Sequence, residues 1–103
     1  MVLRLCVLLW ERAGRANDLT EFEDAVLALL PNHGGKLLSR HTVIERNNGD
    51  PFEVQLIEMP DDAALTAYME DPKRGELARR HDRDAIIART EVLRLEQRSP
   101  PLG

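Results

Sequence analysis

Residues Val2 to Trp10 are apolar on both parities, with Arg4 the only charge in the run. In a strand, successive side chains point to opposite faces. Leu3, Leu5, Val7 and Leu9 therefore share one face, and Val2, Cys6, Leu8 and Trp10 share the other. A sheet covered on one side only would alternate apolar with polar residues. A strand of this kind needs cover on both sides, so the fold must supply two lids.

The chain has 103 residues, enough for one domain with one modest core. After a polar connection containing Gly14, the residues Leu19, Phe22, Val26, Leu29 and Leu30 recur at helical spacing. Asp18 with Glu21, or Thr20 with Glu23, frames a capping box at the start of this helix. Pro31 is expected to kink or end it near Leu30, and Gly34-Gly35 to supply the stop. Leu37 to Arg46 reads as a second strand and Phe52 to Met59 as a third, joined by the turn residues Asn47 to Pro51. Pro60-Asp61-Asp62 opens a second helix with Leu65, Tyr68 and Met69 on its apolar face. Asp71-Pro72 restarts the helix, which runs to about His81. Thr90 to Glu96 reads as the last strand. Residues 1–97 then form a single domain and 98–103 a tail.

The order is βαββαβ, which belongs to the α+β class. Two such halves build a four-stranded antiparallel sheet with both helices on one face, the ferredoxin-like arrangement. The third strand repeats the problem of the first. Val54 and Leu56 lie on one parity, Ile57 and Met59 on the other. No helix is left for the second face, and a bare apolar sheet is unusual on a monomer. A second copy is the simplest cover, which predicts a homodimer.

His33-Gly34-Gly35-Lys36-Leu37-Leu38 follows the first helix, and Met59-Pro60-Asp61-Asp62-Ala63-Ala64-Leu65 follows the third strand. Asp71-Pro72 and Ile87-Ala88-Arg89-Thr90-Glu91-Val92-Leu93 complete the pattern. Together these segments resemble a bacterial family of unknown function in the dimeric α/β-barrel superfamily, from the first strand to about Glu96. The resemblance implies the fold, a dimer, and a cavity between helices and sheet in each subunit. The superfamily includes cofactor-free monooxygenases, lactone isomerases, haem-binding peroxidases and proteins with no known activity. None of the matching motifs is catalytic, so no reaction is carried over.

Composition narrows the partners. The formal net charge of −4 opposes nucleic-acid binding, which needs a positive field. No apolar run is long enough for a membrane span. Cys6 is the only cysteine, so no intramolecular disulfide forms, and it reads as an inert core residue. The apolar run ending at Trp10 is short for a secretory signal and is followed at once by Glu11-Arg12, so a cytoplasmic protein is expected. Zinc spacing, a phosphate-binding glycine loop and a nucleophile elbow are all missing, so no metal or cofactor is expected.

Glu58 is the most interesting candidate for chemistry. It sits in a strand expected to be central, where a carboxylate either reaches water or an arginine (Arg4 or Arg40), or is buried as a general base. His41 and His81 are the other catalytic candidates, against ordinary roles as a solvated edge-strand residue and a helix C-terminal charge. Trp10 and Arg40 are candidate ligand contacts. Three functions remain open. The first is a small-molecule binder or cofactor-free enzyme for an apolar or aromatic metabolite, which requires a cavity holding one of these groups. The second is a non-catalytic interaction or stress-related dimer, which predicts no ligand-sized cavity. The third is a haem-binding protein with His41 or His81 as axial ligand.

Overall fold

A computed structural model describes residues 2–99; Met1 and the end of the expected tail, residues 100–103, lie outside the described residues. Four strands, β1 (Leu3–Glu11), β2 (Lys36–Thr42), β3 (Glu53–Met59) and β4 (Ile87–Leu95), form one sheet in the order β2-β3-β1-β4. Every neighbouring pair is antiparallel. The helices are α1 (Ala16–Leu27), α2 (Asp62–Met69), α3 (Pro72–Arg80) and the single turn α4 (Arg83–Ile86). β1 and β3, the strands apolar on both parities, are thus the two interior strands.

The period of two decides which side chains meet the helices. Leu5 and Leu9 of β1 and Glu53, Gln55, Ile57 and Met59 of β3 are buried on one face. Two apolar clusters form there. One joins Leu5, Ile57 and Met59 to Leu27, Leu30 and Tyr68. The other joins Leu9 to Leu19, Phe22 and Val26 of α1 and to Ile86 and Ile87. Burying each such side chain contributes about 1.5–3 kcal/mol.

The opposite face carries no helix. The Cα atoms extend only 16 Å along the shortest axis, the thickness of one sheet and one helix layer. Cys6 stands there between its partners Leu56 and Leu93, half-buried and outside the helix-side core. Leu93 and Leu95 are 48% and 44% exposed. This chain therefore supplies one of the two lids its strands demand.

Several element boundaries differ from expectation. α1 begins at Ala16, ahead of both capping frames, and no side chain caps it. Asp18 instead accepts a 2.6 Å bond from Arg15 Nε, and Thr20 Oγ1 donates to the Ala16 carbonyl at 3.1 Å. α1 ends at Leu27, and Pro31 lies inside a 3₁₀ turn, Leu30–His33, closed by Gly34 at φ 72°. β2 stops at Thr42 rather than Arg46. Glu45 takes a positive φ of 52°, and Arg46 turns away to make a bidentate pair with Glu11. β4 starts at Ile87, earlier than Thr90, because α4 ends with Ile86 and Ile87 both buried in the second cluster.

Candidate functional site

The helix-facing side of the sheet is not wholly apolar. Glu53 and Gln55 share a parity with Ile57 and Met59, so the alternation of β3 carries them under α1. Glu23 lies on the buried face of α1 with Leu19, Phe22, Val26 and Leu27. The three polar side chains are 3%, 1% and 5% exposed respectively. A buried polar group needs a partner, and here they satisfy one another. Gln55 Nε2 donates to Glu23 Oε1 at 2.8 Å and to Glu53 Oε2 at 2.6 Å. Glu53 is gripped from the other side by Arg40 of β2, whose Nε and Nη2 donate to its two carboxylate oxygens at 2.9 and 3.1 Å. Arg40 also pairs with Asp24 and donates to the Thr20 carbonyl at 3.2 Å.

Beside this network lies a cavity of about 200 Å³. Leu5, Val7 and Ile57 of the sheet and Leu65 and Tyr68 of α2 give it apolar walls. Glu23, Gln55 and Arg74 bring polar atoms to it. Met69 and Val92, each about half exposed, stand where it meets solvent at the β4 edge, with Arg83 and Thr90 nearby. Arg83 Nη2 donates to Thr90 Oγ1 at 3.0 Å, and Arg94 Nη2 to Asp62 at 2.6 Å, linking β4 to the helix layer.

Electrostatics single out Glu23. Burial pushes its carboxyl above the usual range, opposed by the Gln55 hydrogen bond and reinforced by the Glu53 charge; Arg74 and Arg40 pull the other way. The Tyr68 hydroxyl is also pushed up, chiefly by burial, and donates to the Val26 carbonyl at 3.0 Å. The Arg74 guanidinium lies 4.9 Å from the Tyr68 ring centroid, a cation–π stack. Its Nε is buried without a hydrogen-bond acceptor.

None of Trp10, Arg40, His41, Glu58 and His81 lines this cavity. Glu58 is on the helix-free face, 3.4 Å from Arg4 Nη2. His41 is exposed on the edge strand β2, opposite Val54. His81 closes α3 and packs its ring 5.7 Å from that of Phe22. Trp10 lies on the helix-free face, where Nε1 donates to the Gly49 carbonyl at 2.9 Å and Arg89 stacks on the ring at 4.6 Å. Arg40 is on the cavity side of the sheet but is spent on Glu53 and Asp24. No group of three His, Cys, Asp or Glu side chains is arranged to hold a metal among the described residues. Glu23 was legible in principle. It is four residues from Leu19 and three from Val26, a charge on the apolar stripe of its helix, but the capping frame with Thr20 accounted for it too readily.

Solved bacterial structures share this architecture. A protein of unknown function from Rhodopseudomonas palustris aligns with a TM-score of 0.75 at 18% identity, over 96% of this chain and 84% of that one. A dabb family protein with a ferredoxin-like fold from Mesorhizobium loti gives 0.65 at 18% identity, over 99% and 98% of the two chains. A dimeric ferredoxin-like protein of unknown function from Jannaschia sp. CCS1 gives 0.67 at 18% identity, over 94% and 100%. The fold is ferredoxin-like. At this identity the ferredoxin-like likeness extends to architecture and not to activity. No protein-family model matches the sequence, and no curated protein matches it. No helix among the described residues is long and apolar enough to cross a membrane.

Proposed function

We propose that the cavity beneath the helices binds a small, largely apolar metabolite without a metal, with a single aromatic ring as the fitting size. Size supports this reading. An engineered apolar cavity of about 150 Å³ holds benzene, whereas drug-sized ligands occupy roughly 300–1,000 Å³. At about 200 Å³, this cavity suits one ring with a short substituent. The observation that carries the reading is Glu23, a buried carboxyl at an apolar cavity with its proton affinity raised by burial. A carboxyl whose proton affinity is raised in this way is suited to exchange a proton with a bound molecule, which makes Glu23 the general acid–base group of this reading.

The half-exposed Leu93 and Leu95 favour a second copy of the chain on the helix-free face, completing a barrel of two sheets. The dimeric description of the Jannaschia protein supports the same assembly. The interaction-only reading required no ligand-sized space, and the haem reading required an imidazole. The three histidines do not line the cavity.

A thermal-shift screen of single-ring metabolites and of haemin on the wild type and on Val7→Phe tests the proposal. A ligand at about 100 times its Kd adds about 2.7 kcal/mol, which raises Tm by roughly 10 °C or more in a domain of this size. The Val7→Phe ring projects into the cavity and removes that response. A flat screen, or an unchanged response in Val7→Phe, transfers the function to the dimer surface. A Soret band with haemin that His41→Ala or His81→Ala abolishes transfers it to haem.

A further inference from the structure

Arg74 is a cation at the cavity with no carboxylate partner among the described residues. None of the ion pairs among the described residues involves it. A guanidinium does not discharge by losing its proton, so Arg74, partly buried, stays a cation at a largely apolar space. Its Cζ lies over the Tyr68 ring, a cation–π contact. Its charge also acts on the Tyr68 hydroxyl through a side-chain hydrogen bond, while Nε is buried with no acceptor. A buried unsatisfied donor in a native fold requires an explanation, and the partner matching an N–H fork is a planar oxyanion.

We infer that the ligand is an organic anion, a single ring bearing a carboxylate or a comparable oxyanion, with its acidic head held by Arg74 and its ring against Leu5, Val7 and Ile57. The inference rests on the binding reading above and names its substrate class. The other groups around the cavity are consistent with it. Arg83 of α4 adds a second cation near the opening. Gln55 of β3 and Tyr68 of α2 are neutral. Glu53 of β3 is neutralised by Arg40 of β2, which also serves Asp24. Glu23 of α1 is the one group that would repel an anion, and protonation removes that repulsion. An arriving anion raises the proton affinity of Glu23 further by like-charge repulsion. Binding is then coupled to proton uptake, and affinity falls as pH rises while the ligand stays ionised throughout.

The experiment is calorimetric titration of the wild-type dimer or monomer, whichever exists in solution, with benzoate, phenylacetate and salicylate. Benzamide and benzyl alcohol serve as neutral counterparts. The acids are expected to bind about 10- to 100-fold tighter than the neutral compounds, the worth of hydrogen bonds to a charged group. Arg74→Gln should erase that gap while benzyl alcohol still binds, and Arg74→Lys should restore part of it. Glu23→Gln should remove the decline in acid affinity as pH rises above the ordinary carboxylate range. Equal binding of acids and neutral compounds by the wild type overturns the anion inference and leaves the binding reading standing. An unchanged gap in Arg74→Gln does the same. Failure of both acids and neutral compounds to bind overturns the two together.

Discussion

Replacing Arg40 with alanine leaves the Glu53 carboxylate, 3% exposed, beneath α1 with a single remaining donor, Gln55 Nε2 at 2.6 Å. Two hydrogen bonds from Arg40 to Glu53 vanish, together with the Asp24 pair and the bond to the Thr20 carbonyl. Breaking a buried pair by removing one partner costs about 3–5 kcal/mol. The Arg40 side chain is 23% exposed, so part of its charge is already solvated, and the loss belongs near about 3 kcal/mol. A domain of this size has only about 5–15 kcal/mol in total. At about 4–8 °C per kcal/mol, Tm should fall by roughly 12–24 °C. Urea denaturation of Arg40→Ala, Glu53→Gln and the double variant measures the pair directly. Glu53→Gln alone should be milder, because Arg40 keeps Asp24 and Thr20. The double variant should lose less than the sum of the singles by about 1 kcal/mol or more. A loss in Arg40→Ala below about 1 kcal/mol, the value of a solvent-exposed pair, refutes the reasoning, as does strict additivity. The same variant tests whether Arg40 contacts ligand, since acid affinity per folded molecule should be unchanged if its role is to hold Glu53.

Three further outcomes are expected. Burial raises the Glu23 carboxyl in the folded state, so the folded chain holds that proton more tightly than the unfolded chain. Wild-type stability should therefore decline as pH rises from the unfolded value through the higher folded value, and Glu23→Gln should lack that share of the decline; denaturation over a pH series upward from the ordinary carboxylate range compares the slopes, and parallel slopes contradict the assignment. Gly34 at φ 72° would place an added Cβ 2.8 Å from Pro60 Cγ, whereas Gly14 at φ 76° has no atom within 4 Å of that position. Gly14→Ala should cost about 1–2 kcal/mol for backbone strain alone and Gly34→Ala distinctly more, both read from urea midpoints; equal costs mean that Pro60 yields. Leu93→Asp, on the helix-free face, should convert a sedimenting dimer to a folded monomer with far-UV circular dichroism unchanged; a wild type that already sediments as a monomer at high concentration removes the second lid.

The fold was legible because it depends on periodicity. The double parity of Val2 to Trp10 called for cover on both faces of β1, and Asp61 and Asp71 marked α2 and α3, where their carboxylates accept from Ala64 N and Lys73 N. Boundaries were less legible where tertiary contacts prevailed over local signals. α1 starts early although Asp18 and Thr20 are good caps, and α4 interrupts the approach to β4 because Ile86 and Ile87 need burial. The cavity was least legible. Its polar residues come from α1, β3 and α3, each ordinary in its own segment, and only the packing of helices on sheet brings Glu23, Gln55 and Arg74 to one space. Glu58 and His41 stood out in the sequence as polar residues in strands, but the parity rule already sends Glu58 to the face opposite Gln55.

A count of charges explains why Glu23 adapts. Three carboxylates, Glu23, Asp24 and Glu53, are gathered where α1 crosses β2 and β3, and Arg40 is the single cation in direct contact with any of them. Its fork is filled by Glu53 and its remaining nitrogen by Asp24. Glu23 is left with an amide donor, which is weaker than a charged one and shared with Glu53. Leucine at this position would pack against the same neighbours without a desolvation cost, so stability alone gives no reason for a carboxyl there. A group whose proton is held by burial, with no cation in direct contact to fix its charge, can change protonation without breaking an ion pair. In a fold whose other buried carboxylate is locked by Arg40, the side chain free to exchange a proton is the one that faces the cavity.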